Sequence, residues 1–158
     1  DNFDTAFAKS VAIIADVKTA GTGGGTFTSG DWRTRDLNTK VSDVENIVSL
    51  ASNQFTLQAG TYTIRWSAPA HRVNRSQTVL FNITADADVY SGSSAYTGAT
   101  NSDADVLSNG MSRVTLTGAA AFEVKNRCQT TYTTYGYGIP SNFSKPEIYT
   151  IVEIHKIS

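Results

Sequence analysis

Few side chains of the types that perform catalysis occur in this 158-residue sequence, and they are scattered. Nucleophilic hydrolysis requires a nucleophile, a base and an orienting group that meet in one site. The sequence has one cysteine, Cys128, and two histidines, His71 and His155, in different settings, and no glycine-x-serine-x-glycine elbow. Cys128 alternates in register with Phe122 and Val124, which indicates a small buried residue and not a reactive thiol. The sequence therefore predicts a protein that is not an enzyme.

Acidic side chains supply the remaining candidates for metal chemistry. Asp86, Asp88, Asp103 and Asp105 could offer oxygen ligands to calcium, but their spacing meets no calcium-loop pattern. Zinc requires clustered cysteine and histidine at set spacing, which the sequence lacks. We therefore expect solvated loop carboxylates, with no metal and no cofactor.

The charge and hydropathy of the sequence argue against two classes of partner, nucleic acids and membranes. With 13 Lys+Arg against 14 Asp+Glu, the net charge of -1 does not favour nucleic acid or an anionic membrane. No apolar run approaches the roughly 20 residues of a membrane-spanning helix. We expect neither a nucleic-acid partner nor membrane insertion. Because the sequence starts without Met and shows no signal pattern, we expect a mature or excised part of a longer chain.

Strands are the elements that would position these residues. In residues 61–67, Tyr62, Ile64 and Trp66 fall on one face while threonine and arginine fall on the other. Residues 121–125 alternate in the same way, and glycine-rich or asparagine-rich turns separate such segments. Many short strands with frequent turns predict a single all-β domain over residues 1–158, an antiparallel sandwich or jelly roll.

Two terminal segments break this alternation. Residues 11–15 and 148–154 are apolar on both faces. A strand that is buried on both sides needs a second surface to cover it, and another subunit would supply that surface. The alternative is a sandwich strand with a loop folded over it.

The runs at residues 31–39, 54–64, 78–84 and 149–154 resemble, in order and spacing, the trimeric jelly roll of tumour necrosis factor and of complement globular heads. The resemblance is greater to the viral branch of that family, at the distal ends of bacteriophage tail fibres, and it covers residues 11–157. The most specific signature is formed by Phe55, Leu57, Ala59, Gly60 and Tyr62.

This resemblance implies a homotrimer, with residues 1–10 as the link to an N-terminal stalk. It also implies that the first and last strands lie side by side in an inner sheet, around the three-fold axis. Tyrosines, which combine apolar area with a polar group, suit such an interface. The expected interface residues are Ile13, Ile14, Tyr132, Tyr135, Tyr149 and Ile151.

Alternating strand directions then predict which loops share the distal tip. Residues 21–30, 70–76 and 139–145 are expected there, whereas residues 91–104 are expected nearer the stalk. Loops on a rigid β scaffold commonly carry binding residues. The mixture of cationic and amide groups suits anionic or hydroxyl-rich sugars and phosphates. The candidate ligand-binding residues are His71, Arg72, Asn74, Arg75, Asn142 and Phe143.

Together these features predict the receptor-binding tip of a phage tail fibre, an extracellular part of the virion that attaches to the host. Its partner would be a bacterial surface glycan or an outer-membrane protein. Two alternatives remain open: a structural cap that trimerises a fibre, and a secreted cytokine-like or complement-like ligand. Three weak copies of one site would gain avidity through their linkage.

Overall fold

Side-chain alternation organises the central strand of the fold. The computed structural model describes residues 10–101 and 103–158, and it has a strand at Gly60–His71. Tyr62, Ile64 and Trp66 point into the core and are nearly inaccessible, whereas Arg65 is exposed on the opposite face. The predicted alternation is confirmed.

Twelve strands make up the described part of the chain, and all their pairings are antiparallel. The strands are β1 (Ser10–Lys18), β2 (Arg33–Thr34), β3 (Thr39–Asp43), β4 (Ser49–Ala51), β5 (Gln54–Leu57), β6 (Gly60–His71), β7 (Arg75–Asn82), β8 (Ala87–Ser91), β9 (Ala95–Tyr96), β10 (Asp105–Leu116), β11 (Ala120–Cys128) and β12 (Glu147–Lys156). Among these residues, no helix has the length and hydropathy that crossing a bilayer takes.

The strands form two sheets that pack face to face. The inner sheet has the order β10-β6-β12-β1-β3, so the first and last strands are neighbours, as predicted. The outer sheet has the order β4-β5-β11-β7-β8, with β2 added to β11 and β9 added to β7. This is the predicted antiparallel jelly-roll sandwich.

A single apolar cluster fills most of the space between the sheets. Phe55, Phe122 and Leu80 of the outer sheet and Ile64 of the inner sheet belong to it and are fully buried. Gly110 lets β10 pass beneath the large indole of Trp66, because a Cβ at this position would lie 1.9 Å from the ring atom Cζ2. The indole nitrogen of Trp66 donates a hydrogen bond of 2.8 Å to Thr78 across the sandwich.

The sandwich has two distinct ends. We call the end where Ser10 pairs with Lys156 the base, and the end where His71 pairs with Asp105 the tip. The loops predicted to share one end do so. The described tip connections are residues 19–32, 72–74, 97–101 with 103–104, and 129–146.

The long loop before β10 was expected near the stalk, and this prediction is wrong. Residues 97–101 and 103–104 lie at the tip, because Tyr96 pairs there with Arg75 and β10 begins there at Asp105. The Asp-rich and Ser-rich stretch before this loop contains the strand β8, which runs from base to tip beside β7. Because β8 was not predicted, the chain was expected to enter this loop at the base, whereas β8 has already carried it back toward the tip. The expected link at residues 1–10 lies outside the described residues except for Ser10, which begins β1.

A buried arginine joins the two sheets near the tip. Arg35 follows β2, and its side chain is fully buried. Its guanidinium donates hydrogen bonds to Thr150 Oγ1 at 2.8 Å, to the carbonyl oxygen of Pro69 at 2.9 Å and to that of Tyr137 at 3.2 Å. It also lies 4.1 Å from the centre of the Tyr137 ring. Burial lowers the pKa of Arg35 to about 10, which leaves the group charged at neutral pH.

Replacing Arg35 with methionine should lower the free energy of unfolding by about 3 kcal/mol or more, because the buried acceptors on Thr150, Pro69 and Tyr137 lose their donor. Chemical denaturation at a fixed protomer concentration measures this change. Lys145→Met removes an exposed cation and is the matched control, with an expected change below about 0.5 kcal/mol. Equal stability of the two variants would contradict the assigned role of Arg35.

Candidate functional site

The tip loops are held by one carboxylate at the start of β12. Glu147 accepts hydrogen bonds from the backbone nitrogens of Gly21 at 3.0 Å, Asn142 at 2.8 Å and Ser141 at 2.9 Å. The Ser141 hydroxyl donates a fourth, at 2.9 Å. These donors lower the pKa of Glu147 to about 2, since each stabilises the ionised form. The carboxylate thereby fastens the loops 19–32 and 129–146 to each other.

A histidine–aspartate pair at the ends of β6 and β10 also holds a tip loop in place. His71 is buried, and its Nδ1 lies 2.8 Å from Asp105 Oδ1. The second carboxylate oxygen of Asp105 accepts from the backbone nitrogen of Ile139 at 3.0 Å, and the backbone nitrogen of His71 donates to Gly136 at 3.0 Å. His71 therefore positions the loop 129–146 and does not present its ring to solvent.

The turn between β6 and β7 is bonded to its neighbours at the tip. Arg72 donates to Asp103 at 2.7 Å and to the Tyr132 hydroxyl at 3.3 Å. Asn74 donates to Thr130 at 2.9 Å. Both Arg72 and Asn74 have left-handed backbone angles, with φ of 53° and 59°. The turn is thus a defined part of the tip surface.

The other predicted ligand residues separate into two places. Asn142 and Phe143 lie in the loop fastened by Glu147, and the Phe143 side chain is 80% exposed. Arg75 instead lies on the side of the molecule, on the solvent face of the outer sheet. The structure therefore does not bring the predicted residues together into one pocket.

A groove of about 760 Å³ lies where Arg75 is found, and we call it the side groove. Most of its residues gave no signal in the sequence, since they come from distant segments and from the stretch around residue 96, which was expected to be a loop. Two of its residues were singled out from the sequence: Arg75 as a candidate ligand-binding residue, and Trp32 as part of the family-like run at residues 31–39. Ten described residues line the groove, and the six that define its charge, amide groups and aromatic character are Trp32, Arg75, Gln77, Tyr96, Arg127 and Gln129.

The four aspartates considered as calcium ligands do not meet. Asp86 and Asp88 lie near the base, whereas Asp103 and Asp105 lie at the tip. Over residues 10–101 and 103–158, no group of three or more His, Cys, Asp or Glu side chains is placed to hold a metal ion. Cys128 is buried, and burial raises the pKa of its thiol to about 11.

The solvent-facing side of the inner sheet, here called the inner-sheet face, carries exposed apolar side chains. Val11 and Ile151 are each 39% exposed, Leu107 is 48% exposed and Met111 is 52% exposed. Ile13 shares this face and is half-buried.

Charged residues of both signs interrupt the apolar side chains of this face. Met111, Arg65, Glu153 and Ile13 form one row across four neighbouring strands. His155 contacts Glu153 beside that row. The terminal strands therefore expose apolar side chains on their outer side, as expected, but charged residues are mixed among them.

The expected interface residues do not all reach the inner-sheet face. Ile13 and Ile151 do, but Ile14 alternates to the other side and is fully buried in the protomer's own core. Tyr149 is covered by the tip loops: its hydroxyl donates to the Thr22 carbonyl at 2.6 Å. Gly138 permits this cover, because a Cβ there would lie 2.4 Å from the Tyr149 ring.

The two remaining tyrosines lie at the tip. Tyr132 is half-buried, and its ring meets that of His71 in a T-shaped arrangement with 5.7 Å between the centroids. Tyr135 is 36% exposed and lies over Gly23, where a Cβ would be 2.4 Å from the ring. Both belong to loop packing at the tip, so their part in an interface stays a prediction.

Comparison with known proteins gives the fold. No family model matches the chain, and no curated protein matches it. Similar solved structures include the globular domain of a zebrafish complement 1qA protein, with a TM-score of 0.60, 12% identity and coverage of 95% of this chain and 98% of that one. Eiger TNF from S. frugiperda has a TM-score of 0.64 and 14% identity, with coverage of 94% and 92%. Murine APRIL has a TM-score of 0.60 and 9% identity, with coverage of 92% and 98%.

The predicted jelly roll of the tumour necrosis factor and complement type is therefore confirmed as a fold. Identities this low carry no statement about ligand or assembly. Function has to be argued from the surfaces themselves.

Glu147 makes the stability of the tip dependent on pH. Its pKa in the folded protein, about 2, lies below the ordinary value of 4.5, so its contribution is complete above pH 4.5 and is lost as the pH falls toward 2. The melting temperature of Glu147→Gln should therefore lie below that of the wild type at neutral pH, and the gap should close on acidification. Calorimetry across this pH range measures the gap.

Glu45→Gln at the base is the matched control, because it removes the same charge from an exposed side chain. It should produce no gap of this kind. A melting-temperature difference for Glu147→Gln that stays constant down to pH 2 would contradict the assigned role of the carboxylate.

Proposed function

We propose that the chain is a homotrimeric, non-enzymatic recognition domain whose tip contacts a ligand displayed on a surface. The observation that carries the proposal is the exposed apolar character of the inner-sheet face. Val11, Leu107, Met111 and Ile151 lose water contact only if another surface covers them. In a trimer, two further copies of this chain would pack against this face and cover these side chains.

Charge on the inner-sheet face supports copies of the same chain as the occupant. Arg65 and Arg113 lie on this face together with Glu153. A surface that carries both signs can complement itself under rotation, which an all-basic or all-acidic surface cannot. The resemblance to trimeric jelly rolls favours three copies over two.

The tip is the surface that such a trimer leaves free. Ser10 and Lys156 lie at the opposite end, so a stalk attached at the base would not obstruct the tip loops. Phe143 projects there, and Glu147 fixes the loop that bears it. A ligand that meets three tips together would be held by avidity.

The finer proposal is a receptor-binding tip of a phage tail fibre, located in the virion and contacting a bacterial surface glycan or outer-membrane protein. Its support is the resemblance of residues 31–39 and 54–64 to the viral branch of the family. A second candidate is a secreted ligand of a cell receptor. Likeness in fold to the zebrafish complement domain and to the S. frugiperda Eiger TNF favours it.

Ile151→Arg should convert the trimer to monomers, because a cation would be buried on the inner-sheet face of each copy. Sedimentation equilibrium at micromolar concentration should give three times the 17.0 kDa protomer mass for the wild type and the protomer mass for the variant. Val44→Arg changes an exposed residue at the base and should remain trimeric. A wild type that sediments at 17.0 kDa would refute the homotrimer.

Fluorescently labelled domain, applied to a panel of bacterial strains and to cultured animal cells, separates the candidate functions. Binding to bacteria supports the fibre tip, binding to animal cells supports the secreted ligand, and binding to neither supports a structural cap. Phe143→Ala should weaken the binding about tenfold or more if the tip makes the contact. Val44→Ala at the base should leave it unchanged, and equal binding of the two variants would remove Phe143 from the site.

A further inference from the structure

We propose that the side groove binds an acidic saccharide, at a site separate from the tip and complete within one protomer. The site does not depend on the trimer or on the origin of the chain. Every residue that defines it comes from the outer sheet and its edges, on the side opposite to the inner-sheet face.

The floor of the groove is made by the tip-side halves of β7 and β11. Arg75 and Gln77 point outward from β7, while Arg127 is paired with Gln77 across the strands. The Gln129 backbone continues the ladder by donating to the Arg75 carbonyl at 2.9 Å. The alternate residues Ser76 and Cys128 also border the groove but are themselves buried, so the outward set is held at fixed positions on a rigid surface.

Aromatic side chains stand at the two edges of this floor. Tyr96 on β9 lies opposite Arg75 and is 64% exposed. Trp32 directly precedes Arg33, whose partner is Asn126 on β11, so Trp32 lies level with Arg127. Three steps between neighbouring strands, together with an offset of two residues along them, place the two aromatic residues about 16 Å apart. This width suits an oligosaccharide more than a single sugar.

Charge in the groove is positive and uncompensated. Arg75 bonds to the neutral amide of Gln129 at 3.2 Å, and Arg127 bonds to the Gly30 carbonyl at 3.4 Å. Neither guanidinium takes part in an ion pair within the described part of the chain. Among the described residues that line the groove, none is acidic. In a chain of net charge -1, this is a local site for an anion, and guanidinium groups bind carboxylates and phosphates through paired hydrogen bonds.

The combination favours a saccharide over a peptide. A peptide that adds to a sheet needs unpaired backbone groups, but the floor strands β7 and β11 already pair with each other. What the groove offers instead is aromatic faces for the C–H surfaces of sugar rings, glutamine amides for hydroxyl groups, and arginines for an acidic substituent. Such a combination of a few polar groups between aromatic walls is typical of small-ligand sites.

The test is an array of oligosaccharides in which sialylated, uronate-containing and phosphorylated glycans are paired with their neutral counterparts. The 158-residue chain should retain acidic glycans and not their neutral counterparts, and retention should fall as ionic strength rises. Comparing the glycans that carry a carboxylate with those that carry a phosphate identifies which anion the groove prefers. An acidic peptide of glutamate residues and a single-stranded DNA are included as competing probes.

Variants locate the binding in the groove. Arg127→Gln, Arg75→Gln and Trp32→Ala should each weaken binding of the retained glycan about tenfold or more, measured by calorimetry. Lys145→Gln removes one positive charge outside the groove and should bind as the wild type does. Circular dichroism confirms that each variant is folded. Should Trp32→Ala fail to fold, the two arginine variants decide the question.

Control variants separate this proposal from the recognition function. Phe143→Ala at the tip should leave glycan affinity in solution unchanged, and so should the Ile151→Arg monomer. Retention of no acidic glycan, equal retention of neutral ones, or unaltered binding by the arginine variants would each overturn the groove site. Preferred binding of the peptide or the DNA would overturn it as well.

Discussion

A guanidinium buried between the two sheets constrains the half of this molecule that bears the tip. Arg35 can remain charged there only while Thr150 of β12, Pro69 of β6 and the Tyr137 carbonyl all accept from it. These acceptors lie on separate elements, so satisfying one side chain fixes the relative placement of the inner sheet, the loop 129–146 and the run at residues 31–37. Trp32 belongs to that run. The position of the aromatic wall of the side groove therefore depends on a hydrogen-bonding requirement in the interior.

The fold could be predicted largely from local patterns of side-chain alternation. The alternation of Tyr62, Ile64 and Trp66 depends only on the period of a strand, and the structure buries all three. The same holds for Phe122 and Val124 in β11. The jelly-roll prediction rested on these alternations and on a family-like order of segments, which the similarity to solved structures confirms as a fold.

Positions that depend on long-range packing were not predictable in this way. A charged residue such as Arg35 is ordinarily exposed, and only acceptors more than 30 residues away explain its burial. His71 was expected to bind ligand, but its pairing with Asp105 makes it part of the scaffold. The strand β8 carries exposed polar residues, which hid it among turn residues and reversed the expected position of the loop after it. The side groove escaped notice because its parts meet only after the sheet has formed.

The bonds that end on Glu147 suggest how such a domain could acquire new specificities. Three of the four donors are main-chain amides, which every amino acid except proline supplies. Side chains of this loop can therefore be exchanged while the main-chain anchor persists, with asparagine, aspartate or glycine favoured at positions 142 and 144, where φ is 57° and 58°. The sequence of the loop can thus change while the hydrogen bonds that attach it to Glu147 stay the same. A library randomised between residues 142 and 145 would make use of this independence.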